Sequence, residues 1–304
     1  MASRPSNDTS SRPVSMADVA RAAGVSQQTV SRVANGLPNV NEQTRQRVQA
    51  AMQELGFRPS YAGRSLRDGR YHSVGLCIND VTKFGNLSMI DGIASAAREH
   101  NCAITLVEMS KTEEFSLAEA TRRMAALPVD GIIIGMSRMA PDFETFDPLP
   151  GIGTVIVTMY AHPRVTTVDS DHYGCSLLLL VELFKLGHGQ IRYIGGPSFS
   201  VDEQFRRAGW QDALERKHIE PAEPLEGDWS ANSGYEAGRY LAEHDRTMTA
   251  IYAANDQMAN GAIAALRDSG LRVPEDVSVV GVDDSLDDFV AHNELTTDRF
   301  VLHQ

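Results

Sequence analysis

Two sets of side chains in this sequence have the types and spacing to recognise a partner. The first lies in AGVSQQTVSRV near the start of the chain, where Gln27, Gln28 and Arg32 stand close together. A glutamine amide can pair with adenine N6 and N7, and a guanidinium forks onto guanine O6 and N7. Ser26, Thr29, Ser31, Asn35 and Asn41 surround them with short hydrogen-bonding groups suited to phosphate oxygens, which position a protein without specifying sequence. The second set is spread over the rest of the chain: Asn79, Arg206, Trp229, Asn255 and Asp283. Amides, a carboxylate and a guanidinium converging on one cleft suit sugar hydroxyls, and an indole can pack on a sugar face.

Short helices must position the first set. Ser15 and Asp18 fit a capping box, Val19, Ala20 and Ala23 give an apolar face, and Gly24 ends the segment. Ser26 caps a second helix over 27–34 that turns Val30 and Val33 inward and Gln27, Gln28, Ser31 and Arg32 elsewhere. Asn41 caps a third, whose Val48, Ala51, Met52 and Leu55 form a stripe before Gly56. This is the helix-turn-helix plan, in which the second helix enters the major groove. A small helical bundle with a polar surface is the plainer alternative.

Charge separates this head from the rest of the chain. Residues 1–70 hold ten arginines and five acidic residues, a net of +5, so the remainder carries −17 of the chain's overall −12. A basic head on an acidic body is the footprint of a nucleic-acid-binding domain joined to one that avoids nucleic acid. The polar start, residues 1–13, has no apolar core and reads as a tail, not a secretory signal. FRPSYAGRSLRDGR, 57–70, is basic; it is either a flexible linker or one or two helical turns over 60–67 that fold on DNA, with Leu66 as an apolar wedge in the minor groove.

From residue 72 the pattern changes to short apolar runs alternating with helical segments. HSVGLCI, AITLV, VDGIIIG and GTVIVTM form one set; QIRYIGG, TAIYAAN and VSVVGVD form another. Continuous apolar strands between helices mean parallel sheets covered on both faces. Two sets mean two lobes, with ligands held at the carboxyl ends of strands. Asn79, Asn255 and Asp283 fall at such ends, although an Asn or Asp there often only caps the next helix.

SMADVARAAGVSQQTVSRVANG followed by RPSYAGRSL resembles the lac repressor (LacI/GalR) family of bacterial transcription regulators. GGPSFSVDEQFRRAGW, GDWSANSGYEAG, AANDQMANGAIAAL and VSVVGVDDS are similar to its effector domain, itself similar to periplasmic sugar-binding proteins. The resemblance implies an all-α helix-turn-helix head and an α/β body of two doubly wound parallel-sheet lobes. The expected domains are 14–59 for DNA binding, 60–71 for hinge helix and linker, 72–168 for the first lobe and 169–295 for the second. It implies that Gln27, Gln28 and Arg32 read operator bases and that Leu66 intercalates. Gly63 stands where the family commonly has Ala, and glycine costs about 1 kcal/mol inside a helix. Arg206, Trp229, Asn255 and Asp283 are expected to bind a small effector, a sugar in preference to a purine, with Asn79, Phe84 and Met89 lining the first lobe. His188 of LGHGQI reads as structural. The partners implied are palindromic operator DNA, the effector and a second copy of the chain.

The family continues past the motif at Leu295-Thr296-Thr297 with a segment returning to the first lobe. Residues 296–304 are therefore read as the start of an incomplete return, and DRFVLHQ fits the expected sequence poorly, as after a truncation or frameshift. There is no heptad tail for a tetramer. Catalysis finds no support: there is no GxxxxGK[ST] phosphate loop, Gly151 and Gly153 read as a turn, and no metal-spaced His/Cys cluster occurs. A kinase-like enzyme body is thus the weaker reading, and no cofactor or metal is expected. A periplasmic carrier is opposed by the basic head and the lack of a signal peptide. No apolar run is long enough to span a membrane, and Cys77, Cys102 and Cys175 read as thiols in a reducing cytoplasm.

Overall fold

The computed structural model describes residues 14–57, 69–109, 116–287 and 289–298. The chain divides into two compact units between Tyr71 and His72. In the first, α1 (Met16–Ala23), α2 (Gln27–Ala34) and α3 (Glu42–Leu55) surround fully buried Val19, Val30 and Val48. Local chemistry sets each boundary. Ser15 Oγ accepts from Asp18 N at 3.3 Å while Asp18 Oδ2 accepts from Ser15 N at 3.0 Å, a closed capping box. Ser26 and Asn41 cap α2 and α3, and Gly24 ends α1 in the left-handed region. One expected core residue is displaced: Leu55 is exposed. Gly56, at φ +66°, turns the chain back so that Phe57 N donates to Met52 O and Phe57 packs on the core instead.

The second unit holds two five-stranded parallel sheets. The first is built from β1 (Ser73–Ile78), β2 (Ala103–Glu108), β3 (Gly131–Gly135), β4 (Gly153–Val157) and β5 (Thr166–Val168), in the order β2-β1-β3-β4-β5. Helices α4 (Phe84–Glu99) and α5 (Leu117–Ala125) lie on opposite faces: Met89 of α4 packs over Gly135 and Met124 of α5 over Gly75. The second comprises β6 (Ile191–Gly195), β7 (Leu225–Glu226), β8 (Ala250–Ala253), β9 (Ser278–Val282) and β10 (Thr296–Asp298), in the order β10-β9-β8-β6-β7. Its helices are α6 (His172–Lys185), α7 (Val201–Glu215), α8 (Ala231–His244) and α9 (Asp256–Asp268).

Both sheets follow one winding rule, with the first strand between the second and the third. Strand order reverses between β1 and β3 in one lobe and between β6 and β8 in the other, where doubly wound sheets open a crevice at their carboxyl ends. The chain crosses between lobes after β5, through residues 169–171, with Asp171 at φ +44° capping α6.

Three strands carry too little apolar sequence to be foreseen: β5, β7 and β10. The last corrects an expectation. Residues 296–298 do not begin a return to the first lobe; they extend the second sheet, Thr296 beside Val280 and Asp298 beside Val282. Thr297 Oγ1 donates to buried Asp256 at 2.6 Å, and Asp298 O accepts from Asp283 N at 2.9 Å, which fixes that strand where it is.

Candidate functional site: a nucleic-acid interface and a ligand cleft

In the head, α2 buries Val30 and Val33 and exposes Gln27 and Gln28, with Arg32 half-buried one turn beyond Gln28. Glutamine and arginine four apart share a helix face. The smaller polar residues around them also do structural work. Ser26 Oγ accepts from Thr29 N and lies 3.0 Å from Thr29 Oγ1; Asn35 Nδ2 donates to Ser31 O at 2.6 Å; Asn41 Oδ1 accepts from Thr44 N at 2.8 Å. Gly63 and Leu66 lie outside the described residues.

In the body, the second lobe forms a connected polar wall. Asn255 ends the strand run at β8 and caps α9: its Oδ1 accepts from Met258 N at 2.9 Å and its Nδ2 donates to Trp229 O at 3.0 Å. Trp229, held at φ +73°, lays its indole against Gly196, where an added Cβ would meet ring carbon Cζ2 at 2.1 Å. That contact explains the second glycine of the GGP turn. Arg206, on α7, is 4% exposed and is held on three sides. Its Nη2 donates to Asp283 Oδ1 at 3.0 Å, its Nη1 to Ala254 O, and its Nε to His172 Nδ1 at 3.2 Å. Its Cζ lies 5.6 Å from the Trp229 ring. Burial works against the guanidinium charge, but Asp283, Tyr252 and Asp202 outweigh it and push the pKa above its ordinary value. Burial lifts the carboxyl of Asp283 against the pull of Arg206.

The acids at strand ends differ in their surroundings. Asp256, next to Asn255, is fully buried and turned inward: Oδ2 accepts from Ser285 N at 2.7 Å and Oδ1 from Thr297 Oγ1. Burial raises its pKa to about 6. Glu203, equally buried, accepts from Tyr193 Oη, Gly196 N and Arg207 Nε. It braces the GGP turn from beneath.

The first lobe contributes a more apolar wall. Met89 sits over Gly135 at the end of β3, Phe84 opens α4 half-buried, and Asn79 directly follows β1. Asn79 Oδ1 is buried with no hydrogen-bond partner among the described residues. The lobes touch through residues that sequence reasoning did not single out. Lys83 Nζ donates to Asp228 O at 3.1 Å, Tyr160 Oη to Gln204 Oε1 at 3.2 Å, and Val201 N to Ser137 O at 3.0 Å. Arg138 stacks 3.8 Å over Phe199. His172 and Asp202, which join the Arg206 network, were also missed: Asp202 stands four residues before Arg206 on α7, a helical spacing that could have flagged it, whereas His172 lies 34 residues away.

A helix-turn-helix unit in one chain with two doubly wound lobes that meet at a polar crevice defines a ligand-responsive DNA-binding regulator. Residues 15–60 match the bacterial regulatory proteins of the lacI family, and 181–299 match the periplasmic binding protein-like domain. The chain is 32% identical over 287 residues to the lactose operon repressor of Escherichia coli K12, covering 94% of this chain and 80% of that protein. A lac repressor dimer bound to operator and the anti-inducer ONPF matches with a TM-score of 0.79 at 32% identity, over 94% of this chain and 87% of that one. A lac repressor bound to ONPG in the repressed state matches with a TM-score of 0.84 at 32% identity, over 94% and 88%. The chain belongs to the lacI family. No helix of the described residues is long and apolar enough to cross a membrane.

Proposed function

We propose that this protein is a cytoplasmic transcriptional repressor that binds palindromic operator DNA as a homodimer and responds to a small sugar-like effector held between its lobes. Residues 14–59 form the DNA-binding domain, 60–71 the hinge, 72–168 the first lobe and 169–298 the second. Gln27, Gln28 and Arg32 read bases. Ser26, Thr29, Ser31, Asn35 and Asn41 meet phosphate, and Leu66, with Gly63 in the same segment, enters the minor groove. Asn79, Phe84, Met89, Arg206, Trp229, Asn255 and Asp283 hold the effector. No catalytic role is assigned.

The observation that carries this reading is the wall of Arg206, Asp283, Asn255 and Trp229. Four residue types suited to a polyol form two hydrogen-bonded pairs, Arg206–Asp283 and Asn255–Trp229, brought together at a switch point with the guanidinium 5.6 Å from the indole ring. An effector that binds the two lobe arrangements unequally shifts the population between DNA-binding and released forms, and it can do so only through that difference.

The test is fluorescence anisotropy of the full chain on a palindromic site and on its half-site across a salt series, followed by a sugar panel that includes ONPG. Preferential, salt-steep binding to the palindrome that a sugar alters supports the reading. Equal weak binding to both DNAs overturns dimeric recognition. Turnover of ATP and sugars by the body would revive the enzyme alternative.

A further inference from the structure

Asp283 and Asp284, which follow β9, stand in succession at φ +108° and +50°. A positive φ is uncommon for a residue with a side chain, and two in a row persist only where the surroundings fix the backbone. Here three consecutive N–H groups do so. Asp283 N donates to Asp298 O at 2.9 Å, Asp284 N to Thr297 Oγ1 at 3.1 Å, and Ser285 N to Asp256 Oδ2 at 2.7 Å. The first two acceptors belong to β10. The third is joined to it, because Thr297 Oγ1 donates to Asp256 Oδ1 at 2.6 Å.

Thr297 is the centre of this arrangement. A hydroxyl has one proton to give and lone pairs to receive. The proton goes to Asp256, and a lone pair takes the Asp284 N–H. Thr297 stands in register with Gly281 of β9, and a Cβ added at Gly281 would overlap Asp256 Oδ1. The missing side chain of Gly281 is what lets a carboxylate on α9 cross β9 to the hydroxyl on β10. One hydroxyl thus ties α9, the turn after β9 and β10 together. At the other end of the turn, Asp283 Oδ1 accepts from Arg206 Nη2 at 3.0 Å. The direction of that carboxylate follows from the backbone conformation that β10 holds.

We infer that Thr297 is a positioning residue for Asp283: its hydroxyl holds the turn after β9 in the positive-φ conformation that presents the Asp283 carboxylate to Arg206 and to the effector. This rests on the reading that Arg206 and Asp283 bind the effector. Three variants separate hydroxyl from packing. Thr297→Val removes the hydroxyl and keeps the shape. Thr297→Ser keeps the hydroxyl and removes the methyl group. Thr297→Cys keeps a donor, but a weak one.

The test uses the full chain. Calorimetry measures the affinity for ONPG, or for whichever panel sugar binds, and anisotropy measures the affinity for the palindrome without sugar. The Arg206 Nε–H NMR signal, assigned with Arg206→Lys, reports whether Asp283 has moved. Thr297→Val is expected to lose about tenfold in sugar affinity, the scale of one hydrogen bond, and Thr297→Ser to stay within about twofold of the wild type. The Arg206 signal shifts in Thr297→Val and stays in place in Thr297→Ser, while sugar-free operator affinity is unchanged in both. If valine prevents folding, Thr297→Cys takes its place, with sugar affinity below that of Thr297→Ser and a shifted Arg206 signal. Wild-type sugar affinity in Thr297→Val, equal losses in the serine and valine variants, an operator loss that parallels the sugar loss, or an Arg206 signal that never moves would each overturn the inference. If no sugar binds even the wild type, the effector reading fails, while the Arg206 signal across the variants still decides the Thr297–Asp283 link.

Discussion

Asn255 Nδ2 donates to the backbone carbonyl of Trp229 at 3.0 Å while its Oδ1 caps α9, so one amide ties the β8–α9 junction to the residue that carries the indole. Trp229 is held at φ +73°, a conformation a bulky side chain adopts only under restraint. The two ends of the amide can be separated. Asn255→Asp keeps the cap oxygen but presents a buried carboxylate to a carbonyl, so sugar binding is expected to fall about tenfold or more, with a stability loss of about 1–3 kcal/mol. Asn255→Ala removes both and is expected to cost about 1–2 kcal/mol in urea unfolding as well. If Asn255→Asp bound sugar like the wild type, the Nδ2 tie would have no part in the site.

Gly196 is pressed against the indole so closely that no Cβ fits without moving the ring. Gly196→Ala is therefore expected to displace Trp229 and weaken sugar binding, with an overpacking cost of about 1–3 kcal/mol. Isothermal titration with the bound sugar, together with the Trp229 fluorescence maximum, checks this. An unchanged affinity and spectrum would mean the indole has room to move aside.

Asp256 supplies a pH dependence of known sign. Burial raises its pKa from 3.8 to about 6 in the folded chain. A folded pKa above the unfolded one favours the folded state most at low pH, and that contribution is lost as the pH rises through about 6. At about 1.4 kcal/mol per unit the difference is on the order of 3 kcal/mol. Asparagine can accept from Ser285 N and donate to Thr297 Oγ1 with no charge to bury. The urea stability of Asp256→Asn relative to the wild type is expected to improve between about pH 4 and about pH 7.5. A difference that stays constant over that range would show that Asp256 does not titrate there.

The elements legible in the sequence have local causes. The Ser15–Asp18 capping box, the Ser26 and Asn41 caps and the αL glycines act within a few residues, and the continuous apolar strands announce burial on both sides. Thr166–Val168, Leu225–Glu226 and Thr296–Asp298 became strands because a neighbouring strand was already there, a cause that lies elsewhere in the chain. The same limit applies to the site. Arg206, Asn255 and Asp283 stood out by type and place, but His172 meets Arg206 across 34 residues. Asn255 and Asp256 are adjacent and alike in chemistry; only the fold turns one toward Trp229 and the other into the interior.

Arg32 carries the sharpest prediction for the head. It lies on the same face of α2 as Gln28, and Val30 and Val33 anchor the helix from the other side. A bidentate contact to guanine discriminates one base position, whereas a phosphate contact weakens all sequences alike. Arg32→Ala is expected to cost about 1–3 kcal/mol on the preferred operator and to level the affinities of the variants at a single position in each half-site. The salt slope should change little, because slope counts phosphates and not bases. Binding selection on a library of palindromes, with the salt series repeated for the variant, separates the two roles. A uniform loss across the library with a shallower slope would reassign Arg32 to the phosphate backbone and leave base reading to Gln27 and Gln28.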